Sequence, residues 1–271
     1  MSLILSALYV PGDRQSRFAA ALTSGADIVV VDLEDAVLPG RKDAAREAAV
    51  TLLGSDPAVP VHVSVNAGSS PWQDGDLLAL AGAPGLGDVR VAKVESAAEL
   101  DAVAERLPGV RLHALIESAL GVQAMEDIAR HPRLATLGLG EADLHSDLGV
   151  RGEEALAWVR GRLVVACRAA GLPPPMLSVY PDVHDTAGLV GSCRRGRDLG
   201  FVGRSVIHPN QIAAVVDGFR PTAAEVDHAA QIGAAVGHGT GGVTVLHGQM
   251  VDPAMVGAAQ RVLDLESACE V

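Results

Sequence analysis

Eight short apolar runs most tightly constrain what this chain can fold into. They occupy residues 6–10, 28–31, 62–65, 89–92, 113–116, 136–139, 176–179 and 203–207, and helix-length segments separate them. The run 28–31 is apolar throughout, as a parallel strand covered on both faces must be. Parallel neighbours need long crossovers, so short runs alternating with amphipathic segments predict repeated β-α units. Eight units in 271 residues match an α/β fold of the (β/α)8 TIM barrel type over residues 1–220. A doubly wound open sheet is the competing architecture. The fingerprint G-x-G-x-x-G is absent after the first run, and G-x-x-x-x-G-K-[ST] is absent throughout. After Pro221 the pattern changes to a helix over 223–236, a Gly-rich segment 237–242, an apolar run 243–246 and a last helix opened by Pro253. Residues 221–271 are expected to be a C-terminal extension serving as lid and oligomer contact.

Composition excludes several classes. A net charge of -12 without a basic cluster argues against a nucleic-acid surface. No apolar run is long enough for a membrane span. The opening MSLILSALYVPGD reads as a first strand rather than a signal peptide, for it lacks a basic leader and a cleavage-like site. Cys167, Cys193 and Cys269 are odd in number and widely spaced, which predicts a reducing cytoplasm and no disulfide framework.

Polar residues gather where the runs end. Asp32, Glu34 and Asp35 follow the second run, Lys93 and Glu95 the fourth, Glu117 the fifth, and Glu141 and Asp143 the sixth. Adjacent parallel strands lie about 4.8 Å apart, so Glu117 and Asp143 should converge on one small volume. Converging carboxylates call for a cation, and a divalent ion with oxygen ligands suits them. The bland alternatives are that Asp143 caps a short helix, that the DLED run is a solvated turn, and that Lys93 only pairs with Glu95. Arg14, Arg17, Arg41 and Lys42 follow strands as well; solvated surface charge is their default reading. His208-Pro209 reads as a structural helix start, and no serine sits in a nucleophile elbow.

The segments LYVPGDRQSRF, VVVDLEDAVLPGRKDAAR, VNAG, AKVESAAEL, ALIESALGV, GEADL, VIHPNQI and HGQMVDP, in that order, resemble the citrate lyase β-subunit-like branch of the HpcH/HpaI aldolase superfamily. The resemblance implies a (β/α)8 barrel, usually trimeric, that cleaves or forms C–C bonds in acyl-CoA thioesters with Mg²⁺. Citryl-CoA, malyl-CoA and citramalyl-CoA are the substrates it suggests, with a 2-oxo acid as partner. It makes Glu117 and Asp143 the metal ligands and sets Asp32 and Asp35, with Glu34, beside the metal. It makes Lys93 and Glu117 substrate-facing and Asp252 the acid/base, in its own or a neighbouring subunit of a homotrimer. The segment departs from the family at Ser64, where an Arg usually grips a substrate carboxylate; Ser cannot make that charged, bidentate contact. Two other readings therefore stay open: a CoA-independent metal aldolase on free 2-oxo acids, and a non-catalytic accessory subunit. Asp252-Pro253 is also an ordinary helix start, with Asp as N-cap and Pro at the first helical position.

Overall fold

A computed structural model describes residues 3–237, 244–246 and 249–270. Six β-α units come first: β1 Ser6–Pro11, α1 Phe18–Leu22, β2 Ile28–Asp32, α2 Lys42–Leu53, β3 Val61–Val65, α3 Gln73–Leu80, β4 Asp88–Val91, α4 Ala97–Arg106, β5 Arg111–Ile116, α5 Ala119–Ala129, β6 Leu134–Leu139 and α6 Glu141–Leu148. There follow α7 Ala157–Ala169, α8 Thr186–Leu199, β7 Arg204–Val206, α9 Ile212–Phe219 and α10 Ala223–Gly237. A short hairpin, β8 Thr244–Leu246 and β9 Gln249–Val251, leads into α11 Pro253–Cys269.

The first seven strands form one parallel sheet in the order β6-β5-β4-β3-β2-β1-β7. Each new strand lies beside its predecessor, and the last returns to the first. A doubly wound sheet reverses direction at a switch point; this order does not, and it is the order of a curled, TIM-barrel-type sheet. One face of every strand packs on the helices, through residues such as Val29, Val31, Val63, Val89 and Leu112 in the main core. The opposite face looks into the curl. There Ala7, Ile28 and Val30 form a small apolar cluster with Tyr9 and Met176. Around β3, β4 and β5 the same inner face is polar, with His62, Ser64, Asp88, Arg90, His113 and, just past β5, Glu117 all buried.

The eight-strand expectation needs one correction. Residues 176–179 do not form a full strand. Leu177 makes an isolated parallel bridge to Arg204: its amide donates to Gly203 O at 2.9 Å, and Ser205 N donates back at 2.9 Å. Pro173, Pro174, Pro175 and Pro181 flank the run and offer no amide hydrogens, so the ladder cannot extend. On the other side the Ser178 hydroxyl donates to Leu139 O at the end of β6 and accepts from Glu141 N at 3.2 Å. A side chain thus spans the place where a ladder was expected.

Beyond α9, the α10–α11 pair forms a separate apolar cluster with β9, around Ala229, Ile232, Val251 and Ala259. The Gly-rich residues 238–242, and His247 and Gly248 of the HGQMVDP segment, lie outside the described residues. Cys167, Cys193 and Cys269 are buried and free. No helix among the described residues is long and apolar enough to cross a membrane.

Candidate active site

The C-terminal ends of β2, β4 and β5 and the first turn of α6 meet at one point, as parallel order requires. Lys93 stands at the centre. It has φ +54°, a conformation that side chains other than glycine rarely adopt, just past β4. Its ammonium donates to Glu34 and, at 2.9 Å, to Asp35. It stands 3.5 Å from Glu117 Oε2 and 3.4 Å from Asp143 Oδ2. Burial alone pulls this amine down, but the bonds to Glu34 and Asp35 and the charge of Glu117 hold it above the ordinary lysine range.

Glu117 is 7% exposed. Burial, with Asp143 beside it, pushes its carboxyl up to about 8. Its Oε2 is buried without a hydrogen bond among the described residues. Gly140 makes room for it: a Cβ there would lie 2.5 Å from Glu117 Oε1. One ammonium therefore faces four carboxylates, and the most buried of them has an oxygen without a hydrogen bond. Such a donor set fits a hard divalent cation that keeps several waters, such as Mg²⁺. A cleft of about 690 Å³ opens beside the cluster, lined by Lys93, Glu117, Asp143, Glu95 and Ser118 among others.

The loop after β2 is held from below. The Asp32 carboxylate accepts from Glu34 N at 2.9 Å and Ala36 N at 3.3 Å, so it shapes the turn that aims Glu34 and Asp35. Burial raises its pKa against those two amides. Lys42 was read as surface charge; it is buried and donates to Leu33 O, Glu34 O and Asn66 Oδ1 at 2.6, 2.9 and 2.7 Å. Asn66 in turn bonds to the fully buried Asp76, which Arg46 holds at 2.7 Å. A lysine one helical turn after an acidic loop gave no sign of this, because the network closes through β3 and α3, which are distant in sequence.

Other expectations resolve differently. Glu141 accepts two bonds from Arg160 at 2.7 Å each, so it anchors α7. Asp13 lies between Arg14 and Arg41 at 3.7 and 3.6 Å. His208 Nδ1 accepts from Asn210 N at 3.2 Å, the structural helix start expected of it. Asp252 is the N-cap of α11, accepting from Met255 N at 3.1 Å. Among the described residues, no bond ties Asp252 to the acidic cluster of its own chain. Ser64 lies in register between Asp32 on β2 and Arg90 on β4.

A second polar cluster sits deeper in the curl, below this centre, and sequence spacing did not announce it. His62, Asp88 and His113 bring possible ligand atoms within 4.8 Å of one another. Asp88 Oδ2 already takes His113 Nε2 at 2.7 Å and Arg111 NH2 at 3.0 Å. His113 Nδ1 meets Thr136 Oγ1 at 2.5 Å. Burial, with His113 and Arg90 nearby, brings His62 down to about 3. Two guanidinium groups already supply positive charge here, so this floor has less need of a metal than the acidic top.

The fold and the carboxylate centre define a class: TIM-barrel-type α/β proteins with an acidic, cation-seeking site at the strand ends. Within it, the chain belongs to the HpcH/HpaI aldolase/citrate lyase family, which matches residues 5–209. It is 36% identical over 267 residues to a (3S)-malyl-CoA thioesterase of Cereibacter sphaeroides, covering 95% of this chain and 93% of that one. It is 34% identical over 285 residues to citrate lyase subunit beta of Leuconostoc mesenteroides subsp. cremoris, covering 96% and 92%. Its fold matches protein CitE of Mycobacterium tuberculosis, solved with magnesium, acetoacetate and coenzyme A, with a TM-score of 0.85, 31% identity and 98% coverage of both chains.

Proposed function

We propose that this chain is a Mg²⁺-dependent carbon–carbon lyase acting on a β-hydroxyacyl-CoA such as citryl-, malyl- or citramalyl-CoA, or running the reverse condensation with a 2-oxo acid. The observation that carries the reading is the buried Glu117 Oε2, which has no hydrogen bond among the described residues and only a 3.5 Å ion pair to Lys93, in a cluster with excess negative charge. The magnesium and coenzyme A bound by the CitE neighbour support it. Glu117 and Asp143 hold the ion. Asp32 and Lys42 fix the loop that sets Glu34 and Asp35 beside it. When bound, Mg²⁺ supplies Lewis-acid polarisation of the oxygen that becomes the 2-oxo carbonyl. A base must take the hydroxyl proton as the C–C bond breaks, and an acid must protonate the thioester enolate that receives the electron pair. Asp252 is assigned that work, delivered to a neighbouring subunit's centre in a homotrimer, with residues 221–271 as lid and contact. Its place on a helix start, with no bond to its own chain's cluster among the described residues, supports delivery to a neighbour. A (β/α)8-type barrel in a cytoplasmic enzyme, its eighth position held by the Leu177 bridge and the Ser178 hydroxyl in place of a full strand, completes the reading.

The 36% identical thioesterase favours a second outcome at the same centre: hydrolysis of the thioester. Products separate the two. The three acyl-CoA candidates, incubated with and without Mg²⁺ and read by mass spectrometry, should give a shorter acyl-CoA and a 2-oxo acid if the enzyme is a lyase. Free CoA thiol with the intact hydroxy acid would establish hydrolysis instead. No turnover in either direction, for any candidate, would sink both and return the accessory-subunit reading; turnover of free hydroxy acids alone would return the CoA-independent aldolase. Asp252→Asn preserves the cap, since Asn caps as well as Asp, and is expected to lower kcat by about 100-fold or more.

A further inference from the structure

The buried guanidinium of Arg90 has no role in the scheme above. Arg90 is 5% exposed, on the inner face of β4. Its Nε is buried without a partner, and its one hydrogen bond among the described residues runs from NH1 to the Tyr9 hydroxyl at 3.3 Å. Its head lies 5.5 Å from the Tyr9 ring centroid. Among the described residues no carboxylate pairs with it; Asp88, two residues back on the same face, is committed to Arg111 and His113. The other buried arginines are better supplied. Arg160 forks onto Glu141 at 2.7 Å twice, and Arg204 donates to Ser178 O at 3.0 Å and to Ser192 Oγ at 2.8 Å. A guanidinium taken out of water with most of its five donors idle is costly unless an anion reaches it.

Its position says where that anion comes from. Asp32, Ser64 and Arg90 form one register row across β2, β3 and β4. Asp32 is the residue at which the acidic loop begins. The small Ser64 side chain fills little of the interior between them. The Tyr9 hydroxyl is raised by burial and, despite Arg90, feels the charges of Asp32 and Glu117, so the Tyr9–Arg90 pair stands within electrostatic range of the acidic centre.

We infer that Arg90, with the Tyr9 hydroxyl, is a substrate-binding pair that receives a carboxylate of the acid held at the Glu117–Asp143 centre. The inference rests on the proposed function and narrows it: the substrate presents a planar carboxylate to the inner face of β4, where a guanidinium fork matches it. Arg90, rather than any residue of β3, then selects anionic acyl groups over neutral ones.

Isothermal titration of the Mg²⁺-loaded protein with pyruvate, oxaloacetate and CoA tests this on the wild type, Arg90→Met and Arg90→Lys. Arg90→Met is expected to weaken binding of both acids about 10- to 100-fold and to leave CoA binding unchanged. It removes a buried, under-partnered cation, so its melting temperature should hold or rise. Arg90→Lys keeps the charge without the fork and should weaken both acids by less. Acid affinities within twofold of wild type in both variants would overturn the inference, as would failure of the wild type to bind either acid. If Arg90→Met fails to fold, Arg90→Lys decides by the same criterion. Arg90-dependent acid binding in a protein that turns over no acyl-CoA would sink the lyase reading and leave the carboxylate site standing.

Discussion

The curled sheet carries two buried polar clusters, and they are built on opposite principles. The lower one, His62–Asp88–His113, is charge-compensated: Asp88 takes bonds from His113 and Arg111, and burial lowers the pKa of both histidines, although His62 Nδ1 has no partner among the described residues. The upper one, Glu34–Asp35–Lys93–Glu117–Asp143, is open: one ammonium serves four carboxylates, and Glu117 Oε2 has no hydrogen bond. Both are dense in titratable groups. Only the upper one carries an excess of negative charge that a cation would relieve. Polar density by itself therefore does not mark a site here; uncompensated charge at the active end of the strands does.

The sharpest way to break this contrast is Glu117→Ala. It should abolish Mg²⁺ binding and lower kcat/KM on the order of a thousandfold while leaving the fold in place. Activity that survives with unchanged Mg²⁺ dependence would remove Glu117 from the metal site. The converse is Asp88→Ala, which strands Arg111 and His113. It is expected to cost about 1–3 kcal/mol of stability in chemical denaturation, with kcat per folded molecule nearly unaltered; a large loss of kcat would make the floor part of the chemistry. A finer probe is Gly140→Ala, whose Cβ drives Glu117 from its place. It should lower Mg²⁺ affinity about tenfold, with a stability loss of about 1–3 kcal/mol. Unchanged affinity would mean that the carboxylate has other room.

The smallest expected effect is on pH dependence, where the two clusters act with opposite sign. Glu117 is raised from its ordinary 4.5 to about 8. Between those values the metal-free fold holds a proton that the unfolded chain has released, so stability falls as pH rises. His62 is lowered from 6.5 to about 3, so in that window the unfolded chain binds the extra proton and stability falls as pH drops. Melting temperature against pH should therefore show both limbs in the metal-free protein, and Glu117→Gln should flatten the alkaline one alone. Mg²⁺ affinity should climb with pH up to about 8, because the ion must displace the Glu117 proton.

Much of this was legible in the residues. The short runs placed all seven parallel strands to within two residues, because apolar parallel strands leave a clean signal. Glu117 and Lys93 were readable as the polar residues that stop such runs. What escaped depends on register. Arg90 and His62 stand inside runs that read simply as strands, with Asp88 one residue before its run, and only the curl of the sheet turns their shared face into an interior. An Asp and an Arg two apart in the strand DVRV did carry a signal, since charges at that spacing share one face of a buried strand. Lys42 escaped because its three acceptors lie on a loop and a strand that the sequence cannot place beside it. The shortfall at residues 176–179 was written in the flanking prolines, whose missing amides matter more than the apolar content of the run.

That shortfall has a mechanical consequence. The Ser178 hydroxyl holds the last carbonyl of β6 and the Glu141 amide, and Asp143 lies two residues further on. The sheet's weakest join therefore sits next to a proposed ligand of the ion. Slow breathing of the curl should begin along this seam, and the most exchangeable amides near the site should be those of residues 139–143. An ion held between β5 and α6 would tether the α6 edge of that seam and quiet its motion, so binding and rigidity would rise together at one edge of the molecule.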